Sequence, residues 1–322
     1  MKIVFLGTPI FAAHILEELK KEGRHEIAAV VTQPDRPRDR NITTESPVKE
    51  LAAKHNIKVL QYDKISKEGA GDLKALNADI FITAAYGQIL SKEIIDIPPK
   101  GIINVHASLL PNYRGAAPIQ WAVIKGEKET GVSIMKTEAG LDSGPTLLTK
   151  KTVIGEKETA GELFKRLQDL GAEALKGALD MIERGNARYV NQDEGKATFF
   201  PPLRKTDGEI DWGKSAREVV NLIRGVNPWP GAYTYFNDSV LKIWSAEAIG
   251  NAQCTIHNAQ FEELGSNPGR VISSGKDGVF VECGEGIVKL LEIQCAGGKR
   301  MPATEFIKGR PILAGTVFCK QL

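Results

Sequence analysis

The first half of the chain alternates short β-branched apolar segments with longer amphipathic ones, and this alternation is the strongest constraint on the fold. KIVFL at residues 2–6 is followed by FAAHILEELKKEG, by IAAVVT and by a helical pattern that begins at Ser46 and Pro47. Ser46 supplies an N-cap and Pro47 a first-turn proline. Such alternation is typical of βαβ units. We therefore expect an α/β fold with a Rossmann-like, doubly wound and mostly parallel sheet.

A change of character along the chain indicates a second domain. Residues 188–207 lie in a polar, turn-rich stretch with adjacent prolines, which predicts a linker between a catalytic domain at 1–187 and a C-terminal domain at 208–322. The 322 residues suit two domains of about 100–200 residues each. Short strands separated by Gly and Asn turns predict a small OB-like β-barrel at 208–322.

Composition excludes several classes of protein. The formal net charge is only +2, so any polyanion must be bound by a local patch rather than by the overall charge. The chain begins MKIVFLGTP and has neither a signal-peptide pattern nor about 20 continuous apolar residues, so we expect a cytoplasmic protein that contacts no membrane. GTPIFA lacks the spaced glycines of a dinucleotide fingerprint, which argues against a nucleotide cofactor.

The cysteines are few and contain no metal-binding spacing. All four lie in the last quarter of the chain without a CxxC pair, and we expect reduced thiols and no metal. They are Cys254, Cys283, Cys295 and Cys319.

The segment GIINVHASLLPNYRGAAP, which begins at Gly101, carries the candidate chemistry. A strand period of two places Asn104 and His106 on one side of a strand at its carboxyl end, where ligands bind in doubly wound sheets. A carboxamide can donate to a developing oxyanion and an imidazole can move a proton, which suits acyl transfer. Taken alone, both side chains would more often serve only to satisfy backbone groups of the loop, as most Asn and His near strand ends do. Leu109 and Leu110 follow, and we expect both to be exposed, which favours contact with a planar ligand.

NVHASLLPNYRGAAP resembles the signature of the folate-dependent formyltransferases, and EAGLDSGPTLL resembles their second signature. The resemblance implies catalysis by Asn104, His106 and Asp142, with 10-formyltetrahydrofolate as formyl donor and direct attack by an amine. In this family Asn104 would hold the oxyanion, His106 would relay the proton and Asp142 would favour the protonated imidazole. Pro145 stands where the family has an acidic residue, which affects the loop beyond Asp142.

The same resemblance implies a folate site. It assigns the pteridine to the loops around GQIL and SLLP. The residues concerned are Gln88, Ile89, Leu90, Ser108, Leu109, Leu110 and Pro111. For Ile89 and Leu90 an ordinary core position is an equal alternative.

Over essentially its whole length the chain resembles the methionyl-tRNA branch of this family, through VVTQPDRP, FITAAYGQIL, IRGVNPWPGAY and GKRMPATEFIKG. That likeness implies an enzyme that formylates the α-amino group of methionyl initiator tRNA, and we expect this enzyme to be a monomer. The C-terminal barrel and the loop at 34–49 would hold the tRNA. Arg36, Arg38 and Arg40 of this loop are the candidate phosphate contacts. A solvated loop of mutually screened charges is the alternative. The loop also departs from the family, with Arg-Asp-Arg-Asn in place of a Gly-Arg-Gly-Lys-Lys type run.

Three other functions stay open at this point. An amino-sugar-nucleotide formyltransferase would share Asn104, His106 and Asp142 but need another acceptor pocket. A nicotinamide oxidoreductase could use the same sheet, although the GxGxxG pattern is absent. A non-enzymatic nucleic-acid-binding module could use the barrel, although residues 208–322 hold as many acidic as basic residues.

Overall fold

The structure, a computed structural model, describes residues 1–37, 43–249 and 267–319. The chain divides into two compact units. The first comprises residues 1–118, 129–153 and 164–200, and the second comprises 119–128, 154–163 and the described part of 201–322. The division into 1–187, 188–207 and 208–322 stays a prediction.

The first unit is built on a seven-stranded sheet with two short two-stranded ladders beside it. Its strands are β1 (Lys2–Gly7), β2 (Glu26–Thr32), β3 (Arg36–Pro37), β4 (Thr43–Thr44), β5 (Val59–Gln61), β6 (Ile80–Ala84), β7 (Ile102–His106), β8 (Arg114–Gly115), β9 (Glu129–Lys136), β10 (Thr146–Val153) and β11 (Phe199–Phe200). The helices of the described chain are α1 (Ile10–Glu22), α2 (Pro47–Lys54), α3 (Ile65–Glu68), α4 (Ala70–Ala75), α5 (Lys92–Ile95), α6 (Pro118–Ile124), α7 (Ala160–Glu183), α8 (Ala216–Gly225) and α9 (Ala303–Gly309).

The order of the large sheet is β10-β9-β7-β6-β1-β2-β5. The strands from β7 to β5 are parallel, while β9 is antiparallel to both of its neighbours. From β1 the chain builds outward through β2 and β5, and it then returns to the other side of β1 with β6. The topological switch point therefore lies between β1 and β6, and ligands bind at the carboxyl ends of strands there. The predicted Rossmann-like, mostly parallel sheet is confirmed.

Local sequence signals explain where these elements begin and end. The Ser46 hydroxyl accepts from the Lys49 backbone N–H at 3.1 Å, with Pro47 as the first residue of α2, as predicted. Helix α1 ends at Gly23, whose φ of 71° lies in the left-handed region that glycine adopts without strain. Residues 3–6 of β1 are wholly buried because the strand is covered on both faces.

The second unit contains an antiparallel sheet. Its strands are β12 (Ala232–Phe236), β13 (Ser239–Ile249), β14 (Val271–Gly275), β15 (Gly278–Glu282), β16 (Ile287–Cys295) and β17 (Met301–Pro302). The order is β12-β13-β16-β15-β14, with β17 beside β16. Near the chain end, Val317 bridges to Arg270 next to β14 and Cys319 bridges to Tyr235 in β12. The same short segment thus joins both edge strands, which leaves neither edge open along its full length.

Two sequence expectations concern features beyond the sheets. Within the described residues, no helix combines the length and the apolar composition that crossing a bilayer requires. Cys283, Cys295 and Cys319 are free thiols, and burial raises the pKa of Cys283 to about 12. Cys254 lies outside the described residues.

Strands β9 and β10 approach each other closely at Gly131. A Cβ atom there would lie 2.0 Å from the Lys150 carbonyl oxygen and 2.6 Å from Leu109 Cδ2. Because the nearer atom belongs to the backbone, Gly131→Ala should push the strands apart. We expect it to lower the free energy of unfolding by about 1–3 kcal/mol in a urea titration.

Gly71 in α4 is the matched control, since a Cβ there meets nothing within 4 Å. Gly71→Ala should leave stability unchanged or raise it by about 0.4–1 kcal/mol. Equal urea midpoints for the two variants would contradict the close approach at Gly131.

Candidate active site

His106 is the last residue of β7, and its ring is 7% exposed. Its Nε2 lies 3.0 Å from the carbonyl oxygen of Tyr113. A carbonyl can only accept, so Nε2 carries the hydrogen and donates it. In the neutral ring Nδ1 therefore keeps its lone pair. The loop that follows β7 thus leaves His106 with Nδ1 as its basic atom.

Asp142 faces that basic atom from the turn between β9 and β10. Its Oδ2 lies 3.7 Å from His106 Nδ1, which is too long for a direct hydrogen bond but within the range of charge attraction. The same Oδ2 accepts from the Gly115 backbone N–H at 2.8 Å. The carboxylate is therefore held in place by the loop after β7 and stands ready to stabilise a proton on Nδ1.

Asn104 lies two residues before His106 and pairs in register with Thr83 of β6. Its Oδ1 accepts from the Thr83 hydroxyl at 3.0 Å, which orients the amide. Among the described residues the Asn104 Nδ2 donates no hydrogen bond. Its side chain is half-buried. This geometry leaves an N–H donor available at the carboxyl edge of the sheet.

The SLLP loop is held to β9 through Ser133. The Ser133 hydroxyl donates to the Ser108 carbonyl at 2.8 Å and accepts from the Leu110 N–H at 3.2 Å. The Ser108 hydroxyl is itself buried and donates to the Asn112 carbonyl at 2.7 Å. Leu109 and Leu110, which were expected to be exposed, are half-buried, as is Pro111, so the three keep only part of their apolar surface for a ligand.

Gln88, Ile89 and Leu90 have three different environments. The Gln88 amide accepts from the Ile65 N–H and donates to the Tyr62 carbonyl, both at 2.9 Å, and so ties neighbouring loops together. Ile89 is 86% exposed, whereas Leu90 packs against a buried cluster under the sheet. Of the three, Ile89 has the apolar surface free for a ligand.

A cleft of about 690 Å³ lies beside GQIL, in the range typical of small-molecule sites. Gln88 and Ile89 line it together with Arg36 and Lys64, while Ser108–Pro111 do not. Of the seven predicted folate residues, Gln88 and Ile89 line this cleft, four lie in the loop after His106, and Leu90 packs against the buried cluster. Their role stays a prediction.

The predicted phosphate-binding arginines can be followed only in part. Arg36 is exposed at the rim of the cleft, while Arg38 and Arg40 lie outside the described residues. The neighbouring Asp35 is bound by Lys49 and by the Gln61 amide, and the Lys49 hydrogen bond is the main cause of its lowered pKa. The charge of Asp35 is thus balanced by Lys49.

Residues 190–200 contribute to the site in a way that the sequence patterns did not indicate. Val190 pairs with Thr146 through two 2.8 Å backbone hydrogen bonds. Strand β11 pairs with β8, and the Phe200 ring stacks on Tyr113 with centroids 4.8 Å apart. The adjacent aromatic residues in a polar stretch were the available signal, because exposed pairs of this kind usually pack against something.

The described residues contain no group of three or more His, Cys, Asp or Glu side chains placed to hold a metal ion. The expectation that no metal is required stays a prediction. The arrangement of a basic imidazole, a carboxylate and a free amide donor is suited to proton transfer at an acyl centre.

Comparison with known proteins identifies the family. A sequence model of the protein family described as formyl transferase matches residues 1–179. A second family model, described as formyl transferase, C-terminal domain, matches residues 202–311. The chain belongs to the formyltransferase family. The methionyl-tRNA formyltransferase of Acetivibrio thermocellus is 47% identical to this formyltransferase over 98% of this chain and 99% of the relative. That of Lachnospira eligens is 44% identical over the same shares.

Solved structures support the fold of this formyltransferase. WlaRD, a sugar 3N-formyl transferase, superposes with a TM-score of 0.65 at 18% identity, covering 93% of this chain and 99% of that one. The resemblance to the folate-dependent formyltransferases inferred from the two signature segments is confirmed at the level of the family.

Ser133 offers a test of how the SLLP loop is held. Ser133→Ala removes one donor and one acceptor at a wholly buried position, leaving the Ser108 carbonyl and the Leu110 N–H without this partner. We expect a loss of about 1–3 kcal/mol in the free energy of unfolding. The KM for the formyl donor should rise as the loop loosens. Urea titration and steady-state kinetics measure the two effects.

Thr149, which lies opposite Ser133 on β10 and is exposed, gives the control. Thr149→Ser keeps the hydroxyl that contacts Ser133 and should change stability by no more than about 0.5 kcal/mol. If Ser133→Ala behaved like Thr149→Ser, the loop would be held by other contacts.

Proposed function

We propose that this formyltransferase moves the formyl group of 10-formyltetrahydrofolate to the α-amino group of methionyl initiator tRNA. The observation that carries the proposal is the His106 ring, whose Nε2 donates to the Tyr113 carbonyl while Nδ1 faces Asp142 at 3.7 Å. Asn104, with its free amide N–H, lies two residues earlier on the same strand. Asn104, His106 and Asp142 are accordingly the proposed catalytic residues.

The reaction forms one C–N bond and breaks another. The amine nitrogen attacks the formyl carbon, the bond from that carbon to N10 of the folate breaks, one proton leaves the amine and one reaches N10. No covalent enzyme intermediate is needed. His106 Nδ1 accepts the amine proton, and Asp142 stabilises the imidazolium until the proton is passed on. The Asn104 Nδ2 donates to the oxyanion of the tetrahedral intermediate.

The acceptor is inferred from relatives that share the full length of the chain. The methionyl-tRNA formyltransferases of Acetivibrio thermocellus and Lachnospira eligens align over 98% of it, including the C-terminal domain. We assign that domain, residues 208–322, to tRNA binding together with Arg36, Arg38 and Arg40. The exposed position of Arg36 suits a phosphate contact. A monomer in the cytoplasm stays the prediction from sequence.

The deciding experiment measures transfer of labelled formyl from 10-formyltetrahydrofolate. Methionyl initiator tRNA, methionyl elongator tRNA and an amino sugar nucleotide serve as parallel acceptors. We expect selective labelling of the initiator tRNA. Labelling of the sugar nucleotide alone would keep the chemistry and overturn the acceptor, while no labelling of any acceptor would overturn the function.

Asn104→Ala tests the oxyanion role. It removes the free amide donor, and loss of one such donor lowers kcat by about 100- to 1,000-fold.

His106→Ala should lower kcat by roughly 100- to 10,000-fold, with folate binding largely intact. Steady-state kinetics and equilibrium binding of the folate by fluorescence measure these effects. Full activity in the His106 variant would show that the proposed mechanism is wrong.

A further inference from the structure

The turn that carries Asp142 is held by a single side chain from residues 190–200. Asp142 has a φ of 48°, in the left-handed region that is uncommon for non-glycine residues, although aspartate tolerates it better than most. The Gln192 Nε2 donates to the Asp142 carbonyl at 2.8 Å and to the Gly144 carbonyl at 2.7 Å. One amide nitrogen thus joins both sides of the turn.

Arg114 fixes which way the Gln192 amide points. The Gln192 Oε1 accepts from Arg114 Nε at 3.1 Å and from one of its terminal nitrogens at 2.9 Å. A guanidinium group only donates, so the amide oxygen must face it and the amide nitrogen must face the turn. Arg114 is 1% exposed and forms a two-pronged ion pair with Glu194 at 2.6 and 2.9 Å. This ion pair raises the pKa of Arg114 and lowers that of Glu194.

The same network reaches His106. Arg114 follows Tyr113, whose carbonyl accepts from His106 Nε2, and precedes Gly115, whose N–H binds the Asp142 carboxylate. The imidazole and the carboxylate are therefore both anchored on residues 113–115. Gln192 completes the network, because it joins Arg114 to the backbone of the Asp142 turn.

We propose that Gln192 is a positioning residue for formyl transfer, which holds the Asp142 carboxylate opposite His106 in an orientation set by Arg114. The inference rests on the proposed function for its kinetic consequence. Gln192 itself contacts neither substrate nor reacting atoms in this role. Gln192 acts on the reaction only through the position of Asp142. Its effect on kcat can therefore be distinguished from an effect on stability alone.

Gln192→Leu removes both N–H donors of the amide in a side chain of similar size. Gln192→Glu also removes both donors but keeps an acceptor for Arg114. It therefore serves as the second variant if Gln192→Leu folds poorly. Both should lower kcat by about 10- to 100-fold while KM for folate and for tRNA changes less than about twofold. Asn191→Ala, at the adjacent exposed position, is the control and should keep wild-type kcat. A rise in KM with unchanged kcat would overturn the proposal.

A double-mutant cycle tests whether the effect passes through Asp142. In the Asp142→Asn background, Gln192→Leu should lower kcat by less than about twofold further. If the two losses multiplied in full, Gln192 would act independently of Asp142 and the proposal would be wrong.

NMR of protein labelled with ¹⁵N-histidine gives a readout that needs no activity. Gln192→Leu and Gln192→Glu should shift the His106 ring nitrogen signals in the same direction as Asp142→Asn, whereas Asn191→Ala should not. Unchanged signals in both Gln192 variants would overturn the positioning role. Absence of formyl transfer in the wild-type protein would instead overturn the proposed function, and the NMR result would still decide the role of Gln192.

Discussion

The backbone of residues 113–115 is the constraint on which the candidate site depends. Tyr113 has a φ of 60°, which is uncommon for a tyrosine, and Gly115 has a φ of 99°, which glycine adopts readily, so local preference alone does not set this turn. It is fixed by pairing of β8 with β11, where a Cβ on Gly115 would lie 2.6 Å from the Phe200 carbonyl oxygen. From this turn one carbonyl binds His106 and one N–H binds Asp142. The orientation of His106 and Asp142 therefore follows from a short strand contact rather than from the large sheet.

The sheet and the placement of Asn104 and His106 could be predicted because both depend on periodicity. A strand buried on both faces must be predominantly apolar, as β1 and β6 are, and helices must alternate with such strands to cover them. Once Ile102–His106 is a strand of that sheet, its last polar residues necessarily lie at the ligand-binding edge. The role of Asp142 was predicted from the family resemblance alone, since no periodic pattern places a turn residue opposite the His106 ring.

The remaining parts of the site depend on tertiary contacts that leave no periodic pattern. Strands β8 and β11 contain two residues each, which is too short for alternation to register. Ile89 and Leu90 are adjacent and alike in chemistry, yet one is exposed and the other packs in a core cluster, because only the folded loop decides which side faces the sheet. Gln192 lies in a polar stretch whose composition suggests a linker. Only the folded positions of Arg114 and the Asp142 turn provide hydrogen-bond partners for its amide.

The identity of residue 192 is constrained from two sides at once. The Arg114 guanidinium is buried and stays charged, so its N–H groups need acceptors beyond the two that the exposed Glu194 provides. The carbonyls of Asp142 and Gly144 need a donor. A glutamate would satisfy Arg114 but face the carbonyls with a second acceptor, and a lysine would do the reverse. A carboxamide supplies both atoms in one plane. The requirement of the buried arginine for an acceptor thus dictates the donor that holds Asp142 in place.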